Sequence, residues 1–214
     1  MRKSTWTILD LIRWAEERFR QEGFSTPRLD AEVLLAEALE ADRVFLYTHF
    51  DQPLQSGELA RFRESIKRRL RREPMAYIVG HKEFWSILFE VNPDVFIPRP
   101  ETEVLISESL RVWSASGNPR KEFQILEIGT GSGAISISLA KEIPEAFIVA
   151  TDISEKALAV AEQNARRNGV RERIHFLPGD LFDPVPQGKT FDLIITNPPY
   201  ISSDHFSSLM PEVR

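Results

Sequence analysis

Apolar residues recur at helical spacing through the first part of the chain, then gather into short dense runs from Phe84 onward. Trp6, Leu9, Ile12 and Phe19 fall near one stripe, which predicts a first helix with Ser4 or Thr5 as its cap and Gly23 as its stop. Leu29, Val33, Leu34 and Leu39 predict a second helix. Leu59, Phe62, Ile66 and Leu70 predict a third, capped by Ser56. Pro74 ends this pattern, so residues 1–73 read as a small helical bundle.

The period then changes. FWSILFEV is dense in aromatic and branched residues, as in a short strand or hairpin, and NPD follows as a turn. Residues 74–100 therefore read as a linker that contains this strand or hairpin. After VFIPRPETE, Val104, Leu105, Leu110 and Trp113 predict a helix over 102–113. A regular alternation follows: strand 123–128, helix from about 133 to 142, strand 146–152, helix 154–168, strand 173–178 and strand 191–196. Nearly all-apolar strands that alternate with helices imply a parallel sheet covered on both faces. Residues 101–214 are read as one α/β domain of the nucleotide-binding type.

Composition narrows the chemistry. The 214 residues are 42% hydrophobic and 28% charged, which is enough apolar mass for a buried core. No cysteine is present, so disulfides, thiolate catalysis and Cys-ligated zinc are excluded. His49, His81, His175 and His205 have no metal-ligand spacing, and no metal is expected. No apolar run approaches the ~20 residues of a membrane span. Charges interrupt the apolar stretch of the N-terminus, so it is no signal peptide, and the expected location is the cytoplasm.

The net charge of −5 is uneven. Residues 1–80 carry 14 Lys and Arg against 13 Asp and Glu, while residues 81–214 carry 13 against 19. Arg61, Arg63, Lys67, Arg68, Arg69, Arg71 and Arg72 crowd into one stretch. That stretch is either the solvated face of an amphipathic helix or a docking surface for an acidic or ribonucleoprotein partner.

The loop between the first two strands of the alternation reads Gly129-Thr130-Gly131-Ser132-Gly133. Glycines there let the backbone approach a ligand closely at a usual ligand position of such sheets. The spacing is neither the dinucleotide fingerprint nor a phosphate loop. Asp152 ends the second strand, where a carboxylate can accept both hydroxyls of a ribose. A glycine loop with a ribose-binding acid but no pyrophosphate fingerprint suits S-adenosylmethionine better than NAD. Asp180 after the third strand is either an acceptor for an adenine amine, with Leu181 packing on the ring, or a turn-capping aspartate.

Asn197-Pro198-Pro199-Tyr200 follows the fourth strand. Two prolines remove two backbone donors and fix φ at both positions. The Asn197 side-chain oxygen and the Pro198 carbonyl then supply two acceptors beside the ring of Tyr200. That set is a clamp for a planar –NH₂ group, whether on a base or on a carboxamide. With both hydrogens held, the nitrogen lone pair gains sp³ character and attacks a sulfonium methyl in line, with no strong base required. Catalysis is then positioning and local electrostatics.

GTGSG, Asp152, GDLF and NPPY together resemble class I S-adenosylmethionine-dependent methyltransferases, a Rossmann-like fold. Glu73-Pro74-Met75-Ala76-Tyr77-Ile78-Val79-Gly80, Glu83-Phe84 and the run Phe96-Ile97-Pro98-Arg99-Pro100-Glu101-Thr102-Glu103 resemble the bacterial release factor glutamine methyltransferases, the PrmC/HemK family. The resemblance implies a helical domain that docks class 1 peptide chain release factors. It implies further that Gly129 to Gly133 line the methionine part of S-adenosylmethionine, Asp152 its ribose, and Asp180 with Leu181 its adenine. Asn197, Pro198, Pro199 and Tyr200 would hold the glutamine amide of the Gly-Gly-Gln motif. Phe96 and the IPRPETE segment would close over the cofactor, with Arg99 and Glu101 paired.

Family members continue past the NPPY loop with further strands, so the domain is expected to be incomplete at its C-terminus and this form to be impaired. A monomer without membrane or direct nucleic-acid contact is expected. The alternatives are an amino-methyltransferase acting on adenine or guanine of nucleic acid, with the basic helix as its best support, and a non-catalytic scaffold.

Overall fold

The computed structural model describes residues 6–117 and 122–198, so Ser4, Thr5, Pro199 and Tyr200 lie outside the described residues. Among these, the backbone forms one unit that runs to Val79 and another that begins at Gly80.

The first unit is built from α1 (Ile8–Gln21), α2 (Pro27–Leu39), α3 (Arg43–Thr48), α4 (Ser56–Leu70) and α5 (Met75–Val79). α1 starts later than the apolar pattern implied. Thr7 is its cap, because Thr7 and Asp10 exchange side-chain and backbone hydrogen bonds at 3.3 and 3.2 Å. Its buried stripe is Ile8, Leu11, Ile12, Ala15 and Phe19, while Trp6 precedes the helix and Leu9 is only half-buried. In α2, Leu29 is exposed, and Leu34 and Leu35 carry the packing. Ser56 is not the cap of α4 but its first residue. Glu58 reaches back to accept the Gln55 N–H at 2.7 Å, which fixes the start one residue earlier.

Most of the basic run on α4 is consumed within this unit. Arg61 donates to the Ala38 carbonyl at 3.0 and 2.8 Å, and Arg68 makes a bidentate pair with Glu73 at 2.8 and 2.5 Å. Arg69 is buried against Asp30 at 2.8 Å, and Arg72 donates to the Glu22 carbonyl. The guanidiniums of Arg69 and Arg72 also lie 4.4 and 4.1 Å from the Phe24 ring centroid. Lys67 meets Glu64 and Arg71 adds its charge beside Glu73, which leaves Arg63 without a partner among the described residues. Arg68 further donates to the Tyr77 and Ile78 carbonyls. That bond set makes residues 75–79, expected as linker, a helix whose Ile78 joins this core.

The second unit begins with a hairpin, β1 (His81–Phe84) and β2 (Ile87–Glu90), in which Phe84 pairs with Ile87. Trp85 and Ser86 make the two-residue turn with φ of +51° and +57°, the sense that matches strand twist. Phe84, Ile87 and Phe89 enter the same core as Ile106, Ile125, Ile137 and Ile148, so the hairpin belongs to the sheet unit. A 3₁₀ turn (Pro100–Thr102) leads into α6 (Glu103–Ala115). Then come β3 (Phe123–Ile128), α7 (Ala134–Glu142), β4 (Ala146–Asp152), α8 (Glu155–Arg167), β5 (Ile174–Pro178) and β6 (Leu193–Thr196). The sheet is parallel throughout, in the order β5-β4-β3-β6.

Candidate functional site

From β3 the chain crosses to β4 on one side, while β6 pairs on the other. The loops after β3 and β6 therefore part at this point, which opens the crevice where ligands of open α/β sheets bind. Register aligns the strand ends there. Ile128 pairs with both Thr151 and Thr196, so Gly129, Asp152 and Asn197 each follow directly on a matched position.

The glycine loop is held by its own backbone. The N–H groups of Gly129 and Thr130 both donate to the Thr151 carbonyl, at 2.8 and 3.0 Å, and Gly133 donates to the Thr130 carbonyl at 2.9 Å. Gly129, Gly131 and Gly133 have φ of +75°, +56° and +80°, which only glycine adopts without strain. Their surroundings differ. A Cβ on Gly129 or Gly131 would project into open space, whereas one on Gly133 would lie 2.9 Å from Ile137 Cδ1 and 3.2 Å from Ala161 Cβ. The first two glycines leave the crevice open, and the third lets α7 pack against α8.

Asp152 faces this loop. Its Oδ2 accepts from Gly131 N–H at 2.8 Å and its Oδ1 from Ser154 N–H at 3.0 Å, so each oxygen keeps lone-pair capacity for a further donor. Beneath the loop, Glu127 is buried, and its side chain meets no cation among the described residues. Its Oε2 accepts from Thr130 Oγ1 at 2.7 Å, from Ser136 N–H at 3.2 Å and from the Ser136 hydroxyl. Burial pushes this carboxyl up to about 7; the Ser136 and Thr130 hydrogen bonds oppose that rise and the Asp152 charge adds to it. Asn164, fully buried on α8, donates to the Ser132 carbonyl at 2.9 Å and to Glu90 O at 3.0 Å, and accepts from Glu90 N–H at 2.8 Å. One side chain thus ties the hairpin to the glycine loop. Sequence reasoning missed both Glu127 and Asn164. A polar residue inside an all-apolar strand was the available signal for Glu127.

After β6, Asn197 Nδ2 donates to Thr102 Oγ1 at 3.0 Å, and Pro198 is exposed. Asp180 is exposed and opens a turn, its carbonyl accepting from Asp183 N–H at 2.9 Å, while its carboxylate makes no hydrogen bond among the described residues. Leu181 is 58% exposed at φ +45°, and its carbonyl accepts from Thr151 Oγ1 at 3.2 Å. Ile153, also missed, is 75% exposed beside Asp152, and together with Leu181 it gives the crevice an apolar rim. Phe96 is largely exposed. Arg99 and Glu101 do not pair; both stand in solvent, where such a pair would be worth little.

A groove of about 420 Å³ lies at the opposite ends of the strands, against Gln124, Phe147 and His175, away from these groups. Among the described residues, no group of three or more His, Asp or Glu could hold a metal, and no helix is long and apolar enough to cross a membrane.

Two family models match the chain: the PrmC N-terminal domain over residues 10–80 and the Methyltransferase small domain over residues 111–210. A release factor glutamine methyltransferase of Rhodopirellula baltica is 41% identical over 209 residues, covering 98% of this chain and 71% of that protein. Its counterpart in Geobacter sulfurreducens is 42% identical over 209 residues, covering 98% and 70%. That of Chlorobaculum tepidum is 38% identical over 218 residues, covering 99% and 74%. Among solved structures, the N-terminal domain of human METTL16 in complex with SAH aligns with 54% of this chain and 47% of its own. Its identity is 19% and its TM-score 0.43, too distant to bear on the site.

Proposed function

The chain belongs to the release factor glutamine methyltransferases, and on that premise we propose that it methylates the side-chain amide nitrogen of the glutamine in the Gly-Gly-Gln motif of class 1 peptide chain release factors. The methyl donor is S-adenosylmethionine. The observation that carries the reading is the register row at the switch point, which brings the glycine loop, Asp152 and Asn197 to one crevice.

The residues present fit this cofactor. Open space stands over Gly129 and Gly131, and Asp152 retains acceptor capacity for two ribose hydroxyls. Asp180 offers a free carboxylate to an adenine amine, with Leu181 and Ile153 as apolar surface for the ring. When bound, the cofactor supplies an electrophilic sulfonium methyl. The chain's own part is to present the nucleophile. Asn197 Oδ1 and the Pro198 carbonyl accept the two amide hydrogens, and Tyr200 stacks on the amide plane. Holding both hydrogens localises the lone pair, and the methylated nitrogen then loses a proton to water. Pro199 keeps the clamp free of competing donors. The helical unit docks the release factor.

A transfer assay with labelled S-adenosylmethionine tests the proposal. The acceptors are a purified class 1 release factor, its Gly-Gly-Ala variant, and total RNA and DNA. Label on the unaltered factor alone supports it; label on nucleic acid, or equal label on the Gly-Gly-Ala variant, overturns it. Asp152→Ala is expected to raise the S-adenosylhomocysteine Kd tens of fold by calorimetry, for a loss of roughly 1.5–3 kcal/mol in charge-assisted bonds.

A further inference from the structure

An asparagine carboxamide can help an amide nucleophile only through its oxygen. Its two ends are nearly equal in shape, and its terminal torsion is broad and two-fold. A free Asn197 would therefore turn its NH₂ end toward the substrate part of the time and set donor against donor. In the structure Nδ2 is engaged, donating to Thr102 Oγ1 at 3.0 Å, while Oδ1 accepts no hydrogen bond among the described residues. We infer that Thr102 is a positioning residue that anchors the Asn197 carboxamide, its hydroxyl accepting from Nδ2 while Oδ1 is left to meet the substrate's amide hydrogen; this rests on the acceptor role proposed above for Asn197.

Both partners are rigidly mounted from separate elements. Thr102 closes the 3₁₀ turn that Pro100 begins, and its N–H donates to the Arg99 carbonyl at 3.0 Å. The next residue, Glu103, accepts the Trp85 N–H at 3.0 Å, which anchors the start of α6 to the hairpin turn. On the other side, Thr196 pairs with Ile128 and donates its hydroxyl to the Ile128 carbonyl at 2.9 Å. Pro198 then restricts the Asn197 backbone to extended conformations. The IPRPETE segment thus meets the site through its threonine, not through the charges of Arg99 and Glu101.

The test combines spectroscopy with kinetics on the full protein. In ¹⁵N-edited spectra the Asn197 side-chain NH₂ pair, assigned by its loss in Asn197→Ala, is expected to move in Thr102→Val and to stay in Thr102→Ser. An unmoved pair in Thr102→Val overturns the inference whatever the acceptor is. Thr102→Val is expected to lower kcat about three- to tenfold, the worth of one neutral hydrogen bond. KM for the release factor and the S-adenosylhomocysteine Kd should hold within about twofold. Thr102→Ser should restore kcat, and Thr102→Val should cost nothing further in the Asn197→Ala background. Losses that add in full, or a serine that does not rescue, overturn it. If the spectra show the pairing while label goes to another acceptor, the Gly-Gly-Gln reading falls. The same kcat pattern is then required on that acceptor.

Discussion

Glu32 in the helical unit and Glu127 in the sheet unit are both shielded from water, at 2% and 1% exposure, but Glu127 lies deeper in its unit, and the two carboxyls move in opposite directions. Burial pushes both up. At Glu32 the hydrogen bonds of Tyr47, Arg43 and Arg28, at 2.7, 2.8 and 2.9 Å, more than reverse that and hold it below the usual carboxylate range. At Glu127 the donors are neutral, and burial wins. A buried acid surrounded by cations is a structural clasp. One surrounded by hydroxyls and an amide N–H has its carboxyl raised to about 7, directly under the glycine loop. The difference lies in the partners and in how deeply each carboxyl is desolvated.

The largest test of that contrast is Glu32→Ala, which strands two arginines and a tyrosine. Because Arg28 and Arg43 keep about half of their side chains in water, the expected loss is the low end for a broken buried pair, about 3 kcal/mol by urea denaturation. The wild-type contribution of Glu32 is present above the ordinary carboxylate range and is lost as pH falls through its lowered folded value. Glu127→Gln runs the other way. A carboxyl raised from 4.5 to about 7 contributes fully below 4.5 and loses that contribution as pH climbs to about 7. The glutamine variant should therefore gain on wild type by about 3 kcal/mol above pH 7 and by nothing at pH 4. Equal pH profiles for the two proteins would break the contrast.

Gly133→Ala comes next, at a loss of about 2 kcal/mol in thermal or urea unfolding, since it combines a left-handed backbone with a contact of 2.9 Å to Ile137. Smallest is Arg63→Ala, expected within about 0.5 kcal/mol of wild type because Arg63 has no partner on α4. Arg69→Ala, which strands buried Asp30, should differ from it clearly. A silent Arg69→Ala would return the basic run to a mere solvated face.

Much of this architecture was legible in the chain. The strands 123–128 and 146–152 match β3 and β4, because near-continuous apolar runs between helical segments have few other uses. α3 was not legible: six residues are too short for a helical period, and Asp42 capping Phe45 N–H at 2.8 Å is a local event. The turn at Trp85-Ser86 escaped notice because neither residue favours a left-handed backbone, and that backbone is held by Glu103, eighteen positions away. Gly129 to Gly133, Asp152 and Asn197 could be singled out as candidates in the chain, since glycines, a strand-end acid and an Asn-Pro pair carry their reasons locally. The contacts of Thr102, Asn164 and Glu127 were not, because each rests on a partner brought near by the fold or on burial.

Periodicity and composition by themselves determined the helical part, the parallel sheet, the absence of cysteine chemistry and the place of the glycine loop after the first strand of the alternation, because those follow from short-range sterics and the spacing of residues. Only the tertiary structure decided which arginines of α4 are spent, that the hairpin belongs to the sheet unit, and how Asn197 is turned. Those depend on contacts between residues up to 95 positions apart, and the free energy of such a contact is set by the geometry that both sides bring to it.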